Sequence, residues 1–272
     1  PDSSFPLTYA EKGLLQVKLH GPGWEDLSLQ AGRALNVVPD KATYKGQRLE
    51  ELLPVIEQSG VNYTEEAGAV TVLGLSKHSK DAAEGVNAIV GLAESLSLIQ
   101  PHPALLFIAD AVGQDATGAA LFGEIKDEPS GALSFNIATL FIDKERSEIG
   151  IDIRIPVLAD KDALVERLTE VAASYQLQYE EFDYVAPLYV PLDSPLVSTL
   201  MKVYQEETGD QTPAMSSGGA TFARTMENCV AYGALFPGAE QTEHQANERA
   251  KLEDLYRALE IYAETIRRLA TT

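Results

Sequence analysis

The sequence predicts an α+β fold, in which an antiparallel sheet carries helices on one face and continues into a region of α/β character. Two observations lead to this prediction. Strand-like segments alternate with helical segments over the first two thirds of the chain, and this rhythm changes after VAPLYVPLDSP (185–195). We therefore expect two regions that are built differently.

The first region contains two sets of elements. LLQVKL (14–19) and AVTVLGLS (69–76) alternate like strands, and apolar residues at helical spacing follow at 81–98. The segments 133–143 and 148–156 predict a hairpin joined by KERS, then a helix opened by Asp162 and a strand at 176–182. Because strands and helix recur, a single domain and an internal repeat both stay open for residues 14–183.

The second region reads as a helix, a buried strand and a helix. Ser194 with Pro195 predicts a helix start, and Gly209 predicts its end. The glycine-rich SSGGATF turn leads into a short helix, and the apolar run CVAYGALF (229–236) predicts a buried strand. The last helix, from about Asn247, has one apolar face, formed by Leu252, Leu255, Tyr256, Leu259, Tyr262, Ile266 and Leu269. These elements are too few for a complete doubly wound sheet.

Composition narrows the class of protein. The 272 residues include 41 acidic and 21 basic ones, a net charge of −20, which would repel nucleic acids and anionic membranes. Cys229 is the single cysteine, no apolar run approaches the ~20 residues of a membrane span, and no signal-peptide pattern is present. We expect a cytoplasmic protein with neither nucleic acid nor membrane as partner. The chain begins with PDSSFP rather than methionine, and we read it as part of a longer polypeptide.

Five places in the chain could carry chemistry, and each also has an ordinary structural interpretation. His244, in LFPGAEQTEHQANE, is a metal ligand or a loop histidine, and His78, in GLSKHSKDAAEGVNA, is a functional or a solvated loop histidine. Arg154 in DIRIP could bind an anion or form an ion pair, and Asn36 in GRALNVVPD could simply form a turn. Gly218-Gly219 could offer N–H groups to an anion or serve a tight turn.

Taken together, these segments are more specific. In chain order, PDSSFP, GRALNVVPD, GLSKHSKDAAEGVNA, GIDIRIP, SSGGATFAR and LFPGAEQTEHQANE resemble the ArgE/DapE/carboxypeptidase G group of two-zinc exopeptidases and amidohydrolases. Within that group the chain is most similar to the PepV-type dipeptidases, which are similar to carnosinases. The resemblance runs over essentially all 272 residues.

The resemblance implies two zinc ions in a complete site, with manganese or cobalt as alternatives. Asp2 matches the carboxylate that ligates one ion, and His244 matches the histidine that ligates the other. His78 matches a histidine that stabilises the oxyanion of the tetrahedral intermediate. Arg154 matches the arginine that grips the C-terminal carboxylate of the substrate.

The remaining matches concern substrate contacts. Asn36 matches an asparagine that touches substrate. The residues Gly218, Gly219, Ala220 and Thr221 match a turn whose backbone approaches the same carboxylate. Lys77 and Ala82 depart from the alanine and proline common at these positions, so Lys77 could change the charge near the site.

The resemblance also implies a division of the chain. Residues 1–13 match a remnant of the catalytic domain, 14–183 match a ferredoxin-like lid, either single or doubled, and 184–272 match the C-terminal part of the catalytic domain. The family's first histidine ligand, bridging aspartate and glutamate pair would lie upstream. We therefore expect this chain alone to bind zinc poorly and to be inactive, with the missing N-terminal half as its partner.

Three functions stay open. The favoured hypothesis is a zinc-dependent dipeptidase that hydrolyses short peptides with a free C-terminal carboxylate. The second is an N-acyl amino-acid deacylase or succinyl-diaminopimelate-type amidohydrolase. The third is a non-catalytic ferredoxin-like binding or dimerisation module. A monomer and a lid-mediated homodimer both fit the sequence.

Overall fold

The computed structural model describes residues 3–240, 242 and 247–271. The chain divides into two compact units. Unit 1 consists of Pro1–Lys12 and Ala186–Thr272, and unit 2 consists of Gly13–Val185. Their mixed helices and largely antiparallel strands confirm the predicted α+β class. In the part of the chain that is described, no helix is long and apolar enough to cross a membrane.

The described residues form strands, helices and three short helical turns. The strands are β1 (Thr8–Glu11), β2 (Gly13–Pro22), β3 (Leu29–Ala31), β4 (Lys41–Tyr44), β5 (Tyr63–Glu66), β6 (Ala69–Leu73), β7 (Lys126–Asp127), β8 (Gly131–Ala132), β9 (Ser134–Ile142), β10 (Arg146–Ile155), β11 (Gln178–Val185), β12 (Leu188–Tyr189) and β13 (Met215–Ser217). The helices are α1 (Leu49–Ser59), α2 (Ala88–Ser97), α3 (Pro103–Leu106), α4 (Ala119–Phe122), α5 (Lys161–Ser174), α6 (Pro195–Thr208) and α7 (Leu252–Leu269). The short turns are 3-10 helices at Ser79–Glu84 and Phe222–Thr225 and a π-helical segment at Phe107–Val112.

Unit 2 is built on a five-stranded antiparallel sheet in the order β11-β2-β10-β9-β3. The predicted hairpin is confirmed as β9 and β10. On the core face, buried Leu15, Val17 and Leu19 lie opposite the buried isoleucines Ile153, Ile151 and Ile149. The period-two alternation in the sequence therefore reports a sheet with one apolar face and one polar face.

A second, three-stranded antiparallel sheet in the order β4-β6-β5 also lies in unit 2. The two strands that we paired in sequence as one set, β2 and β6, therefore belong to different sheets. The helix predicted at 81–98 begins only at Ala88, because Asn87 accepts hydrogen bonds from the N–H groups of Ile89 and Val90 and caps it. Similarly, α5 is capped by Asp160 rather than opened by Asp162.

Unit 1 contains a small sheet in the order β12-β1-β13. The predicted caps of α6 are confirmed: the Ser194 side chain accepts from the Val197 N–H, and Gly209 ends the helix with φ of 73°. The expectation of a regular strand at 229–236 is wrong, since this segment forms only two isolated bridges. Ala231 pairs with Thr8 of β1, and Leu235 pairs with Ser4, which precedes β1. Gly233 interrupts the extended backbone with φ of 66°, and a Cβ there would come within 2.3 Å of the Phe5 ring.

The last helix, α7, starts at Leu252 rather than near Asn247 and has two apolar stripes. One stripe, at Ala258, Ile261 and Thr265, is buried. The predicted apolar face is largely exposed: the exposed large side chains are Leu252, Leu255, Tyr256, Leu259, Ile266 and Leu269. The sequence pattern therefore identified an apolar stripe, but not the side by which α7 packs in this chain.

Buried His102 predicts a pH dependence of stability for unit 2. Its Nδ1 accepts from the Ala104 N–H at 3.1 Å, and its Nε2–H donates to the Pro22 carbonyl at 3.0 Å, so the ring is neutral. Burial lowers the pKa of His102, and the bond to Pro22 offsets this in part. The neutral His102 ring therefore contributes fully to the stability of unit 2 above its unfolded pKa of about 6.5. That contribution is lost as the pH falls through the lower pKa of the folded state.

The variant His102→Asn keeps a capping oxygen but does not titrate. Between about pH 7.5 and about pH 5, we expect the wild type to lose about 1 kcal/mol more unfolding free energy than this variant, the size of one N-cap. Urea unfolding at both pH values measures the difference, with His20→Asn, at a half-buried histidine, as the control. Equal losses in the wild type and His102→Asn would show that the ring does not act as a cap.

Candidate functional site

The polar face of the five-stranded sheet carries a row of side chains across three strands. Asn136 of β9 pairs with Asp152 of β10, which pairs in turn with Gln16 of β2. In the adjacent register position, Ser134 pairs with Arg154. Asn136, Asp152 and Arg154 are all buried. The strand register therefore places the predicted arginine beside a carboxylate and a pair of amides.

Arg154 is held by a two-pronged ion pair. Its Nε donates to Oδ1 of Asp152 at 2.6 Å, and one terminal nitrogen donates to Oδ2 at 3.1 Å. Gln16 Nε2 also donates to Asp152 Oδ2, at 3.1 Å. The side chains of Arg154 and Asp152 are 5% and 0% exposed, so this is a desolvated pair that fixes the guanidinium plane.

His78 lies at the start of the 3-10 helix Ser79–Glu84. Its Nδ1 accepts a hydrogen bond from the Lys80 N–H at 3.1 Å, so the neutral ring carries its proton on Nε2. Partial desolvation lowers the pKa of His78, and the positive charges of Arg154 and Lys80 lower it further. The nearby carboxylates of Asp152 and Asp81 act in the opposite direction. His78 is thus a neutral Nε2–H donor near Arg154.

Asn36 lies beside His78, because the two segments that carry them form one bridge. The N–H of Ser79 donates to the Asn36 carbonyl at 2.9 Å, and Val37 pairs with His78 in an antiparallel bridge. The Asn36 residue itself is exposed. Unit 2 therefore brings Asn36, His78 and Arg154 into one neighbourhood.

Asn136 anchors both of these segments to the sheet. Its Nδ2 donates to the Val37 carbonyl at 3.0 Å, to the Leu35 carbonyl at 3.4 Å and to Ser79 Oγ at 2.9 Å. Ser134 Oγ donates to the Ser79 carbonyl. One buried amide thus bonds the residues on either side of Asn36 and the residue that follows His78. Lys77, whose charge departs from the family pattern, is paired with Glu84 at 3.2 Å.

The glycine-rich turn at Gly218–Thr221 lies in unit 1 and precedes the 3-10 helix Phe222–Thr225. Thr221 caps this helix by accepting from the Ala223 N–H. The N–H of Thr221 donates to Glu11 Oε2 at 3.0 Å, and the N–H of Gly219 donates to Ser217 Oγ at 3.0 Å. Of the turn that the resemblance matches to a substrate carboxylate, the N–H groups of Gly219 and Thr221 are therefore engaged within unit 1.

The two predicted metal ligands, Asp2 and His244, lie outside the described residues. Among residues 3–240, 242 and 247–271, no group of three or more His, Cys, Asp or Glu side chains could hold a metal ion. The described side chains therefore do not form a zinc site by themselves.

Four residues of these networks were not identified from the sequence. Asp152 could have been predicted as a partner of Arg154, since it lies two residues before Arg154 and therefore on the same face of the strand. Asn136 had a weak signal, a lone amide in the apolar run of β9. Glu11 and Arg224, which form a buried ion pair behind the glycine-rich turn, had none, because their partners are far apart in sequence.

The coupling between His78 and the ion pair predicts pKa changes of opposite sign. Arg154→Gln is expected to raise the pKa of His78, because a positive charge is removed and Asp152 is left uncompensated. Asp152→Asn is expected to lower it further. NMR titration of the imidazole protons measures both changes. His102, whose pKa is shifted by burial and by its bond to Pro22, serves as the control for general loosening. Movement of both histidines in the same direction in both variants would contradict this coupling.

The chain is similar to one known protein family and to individual relatives. The model of Peptidase family M20/M25/M40 matches residues 16–268. The putative dipeptidase YtjP of Bacillus subtilis is 33% identical over 294 residues, which cover 99% of this chain and 63% of the relative. A putative dipeptidase of Staphylococcus haemolyticus is 27% identical over 291 residues, which cover 98% of this chain and 62% of that relative. The chain spans less than two thirds of the length of these curated relatives.

Among solved structures, the chain is similar to the aminoacylhistidine dipeptidase of Vibrio alginolyticus. That likeness has a TM-score of 0.49 at 13% identity and covers 96% of this chain and 63% of the other. The match to the family model and the identity to the Bacillus relative, each covering most of the chain, are sufficient for assignment. This chain belongs to Peptidase family M20/M25/M40.

Proposed function

We propose that this chain supplies the substrate-binding part of a dipeptidase that hydrolyses short peptides with a free C-terminal carboxylate. Family membership and dipeptidase-named relatives support the class of reaction. The observation that carries the proposal is the placement of a neutral Nε2–H histidine, His78, beside the buried guanidinium of Arg154. These two groups are the ones needed to stabilise an oxyanion and to bind a carboxylate.

His78 would stabilise the oxyanion that forms on the scissile carbonyl. Because Nδ1 already accepts from the Lys80 N–H, the Nε2–H is the ring's remaining polar group and would be the donor to the oxyanion. The lowered pKa keeps the ring neutral at physiological pH, so the donor needs no change of protonation state. Such a donor typically contributes about 10²–10³ in kcat.

Arg154 would bind the C-terminal carboxylate of the substrate. Asp152 accepts hydrogen bonds from two nitrogens of the guanidinium, which holds the plane of the guanidinium fixed. The fixed plane favours planar, two-pronged recognition of a carboxylate, which the point charge of a lysine does not reproduce. Exposed Asn36, anchored through Asn136, would add a polar contact to the substrate from the same lobe.

We propose zinc as the metal of the complete enzyme, with Asp2 and His244 as one ligand each. A carboxylate and an imidazole are suitable zinc ligands, and manganese or cobalt could use the same groups. When bound, a pair of zinc ions activates water and polarises the scissile carbonyl. Residues 14–183, as predicted from the sequence, would act as the lid that carries His78 and Arg154.

The substrate assay uses a polypeptide of the relatives' full length that contains this chain. Dipeptides, N-acyl amino acids and dipeptide C-terminal amides are compared side by side, before and after metal removal with a chelator and re-addition of zinc. We expect zinc-dependent hydrolysis of dipeptides in preference to both other classes. Preference for N-acyl amino acids would replace the dipeptidase proposal with a deacylase, and no hydrolysis of any class would reject both.

Two variants separate the roles of His78 and Arg154. His78→Gln is expected to reduce kcat by about 10²–10³ with a small change in KM, because an oxyanion donor acts only in the transition state. Arg154→Lys is expected to raise KM for dipeptides by about tenfold, the loss of one charged hydrogen bond, and to leave KM for dipeptide amides unchanged. Steady-state kinetics measures both.

The matched control is His20→Gln, which removes a half-buried histidine paired with Glu180 at 2.6 Å on the same sheet. It should leave kcat and KM within about twofold of the wild type. An unchanged kcat in His78→Gln, or equal KM increases for acid and amide substrates in Arg154→Lys, would contradict the assigned roles.

A further inference from the structure

A buried ion pair lies directly behind the glycine-rich turn. Glu11, the last residue of β1, is fully buried, and its carboxylate accepts three hydrogen bonds. Thr221 Oγ1 donates to Oε1 at 2.6 Å, and the Thr221 N–H and Arg224 Nε donate to Oε2 at 3.0 Å each. The carboxylate thus holds the last residue of the turn by both its main chain and its side chain.

Arg224 extends this network to three main-chain carbonyls. Its terminal nitrogens donate to the carbonyls of Ala186, Lys12 and Gly219 at 3.0, 3.1 and 3.0 Å. The Arg224 side chain is only 4% exposed. A planar guanidinium can serve all these acceptors and Glu11 at once, whereas a lysine ammonium has only three donors.

Two of the three carbonyls lie where the β1–β12 ladder ends. Ala10 pairs with Tyr189, and Glu11 pairs with Leu188. If the ladder continued by one residue, Lys12 would lie opposite Pro187, which has no N–H to donate. Lys12 and Ala186 are also the residues at which the chain leaves and re-enters unit 1. Arg224 therefore supplies hydrogen bonds at the place where the ladder cannot, and it fixes both crossing segments.

The third carbonyl belongs to the turn itself. Gly219 is held at its carbonyl by Arg224 and at its N–H by Ser217 Oγ, and Thr221 is held by Glu11. Between them, the N–H of Ala220 has no acceptor in the described part of the chain, and Ala220 is exposed. The turn is thus clamped on both sides of an exposed backbone donor.

We propose that Glu11 and Arg224 are positioning residues that fix the glycine-rich turn against the two crossing segments and so set its affinity for a substrate carboxylate. The inference rests on the proposed function for its kinetic consequence, but the clamping of the turn is testable by itself. The ligand class is an anion with a planar carboxylate at the end of a peptide, received by the Ala220 N–H.

The test uses a double variant, Glu11→Gln with Arg224→Met, because removing both charges avoids leaving one buried and unpaired. Arg224→Lys keeps the charge but cannot reach all the acceptors. Tyr204→Phe is the control, since it removes another hydrogen bond of unit 1, from a buried tyrosine to Asp210 at 2.6 Å. Amide hydrogen exchange and steady-state kinetics on dipeptides and their C-terminal amides are measured for all three.

In the double variant and in Arg224→Lys, we expect amide exchange at Thr221 to rise at least about tenfold more than in Tyr204→Phe. The KM for dipeptides should rise about tenfold with kcat nearly unchanged, and the KM for amides should not change. Amide exchange at Thr221 no faster than in Tyr204→Phe would overturn the inference. Equal increases in KM for dipeptides and for their C-terminal amides would overturn it as well. If the wild type hydrolyses no dipeptide, the proposed function fails, and the exchange measurement still decides whether the pair clamps the turn.

Discussion

The antiparallel pairing of β2 with β10 is the constraint on which unit 2 depends. It runs without a break from Gly13 opposite Ile155 to Pro22 opposite Arg146. Because the side-chain period of a strand is two, a slip of one residue would turn Val17 and Ile151 to the polar face and Arg154 into the apolar core. The burial of aliphatic side chains therefore selects the register, and the register places the arginine beside Asp152.

The two fully buried carboxylates are stabilised in the same way. Asp152 and Glu11 are both fully buried, and each receives three hydrogen bonds, including at least one from an arginine. Removing one partner from such a pair typically costs about 3–5 kcal/mol, since it leaves a desolvated charge. Neither pair is therefore a simple gain in stability; each fixes the orientation of a guanidinium. A fixed guanidinium plane suits the two-pronged carboxylate recognition proposed for Arg154, whereas in Arg224 it serves the main-chain carbonyls around the turn.

The sequence predicted what depends on local periodicity and missed what depends on partners. The hairpin of β9 and β10 and the caps of α6 follow from alternation, Ser194-Pro195 and Gly209, and the structure confirms them. The buried strand at 229–236 was wrong, because an apolar run does not reveal a glycine with positive φ packed against a ring. The apolar stripe of α7 was visible, but its exposure depends on which elements surround it. Contacts such as Asn136 to Val37, 99 residues apart, leave no local pattern.

The two ion pairs differ in sequence separation, and this difference sets what each can do. Asp152 and Arg154 are two residues apart on one strand, so their pair forms with β10 and only orients a side chain. Glu11 and Arg224 are 213 residues apart and belong to the two separate segments that make up unit 1. Their pair can form only when β1 and the glycine-rich turn meet, which requires closing a very long loop. It therefore joins the two segments of unit 1 at the position where the turn must be held, and a change at either residue is transmitted to the main chain of the turn rather than to a single side chain.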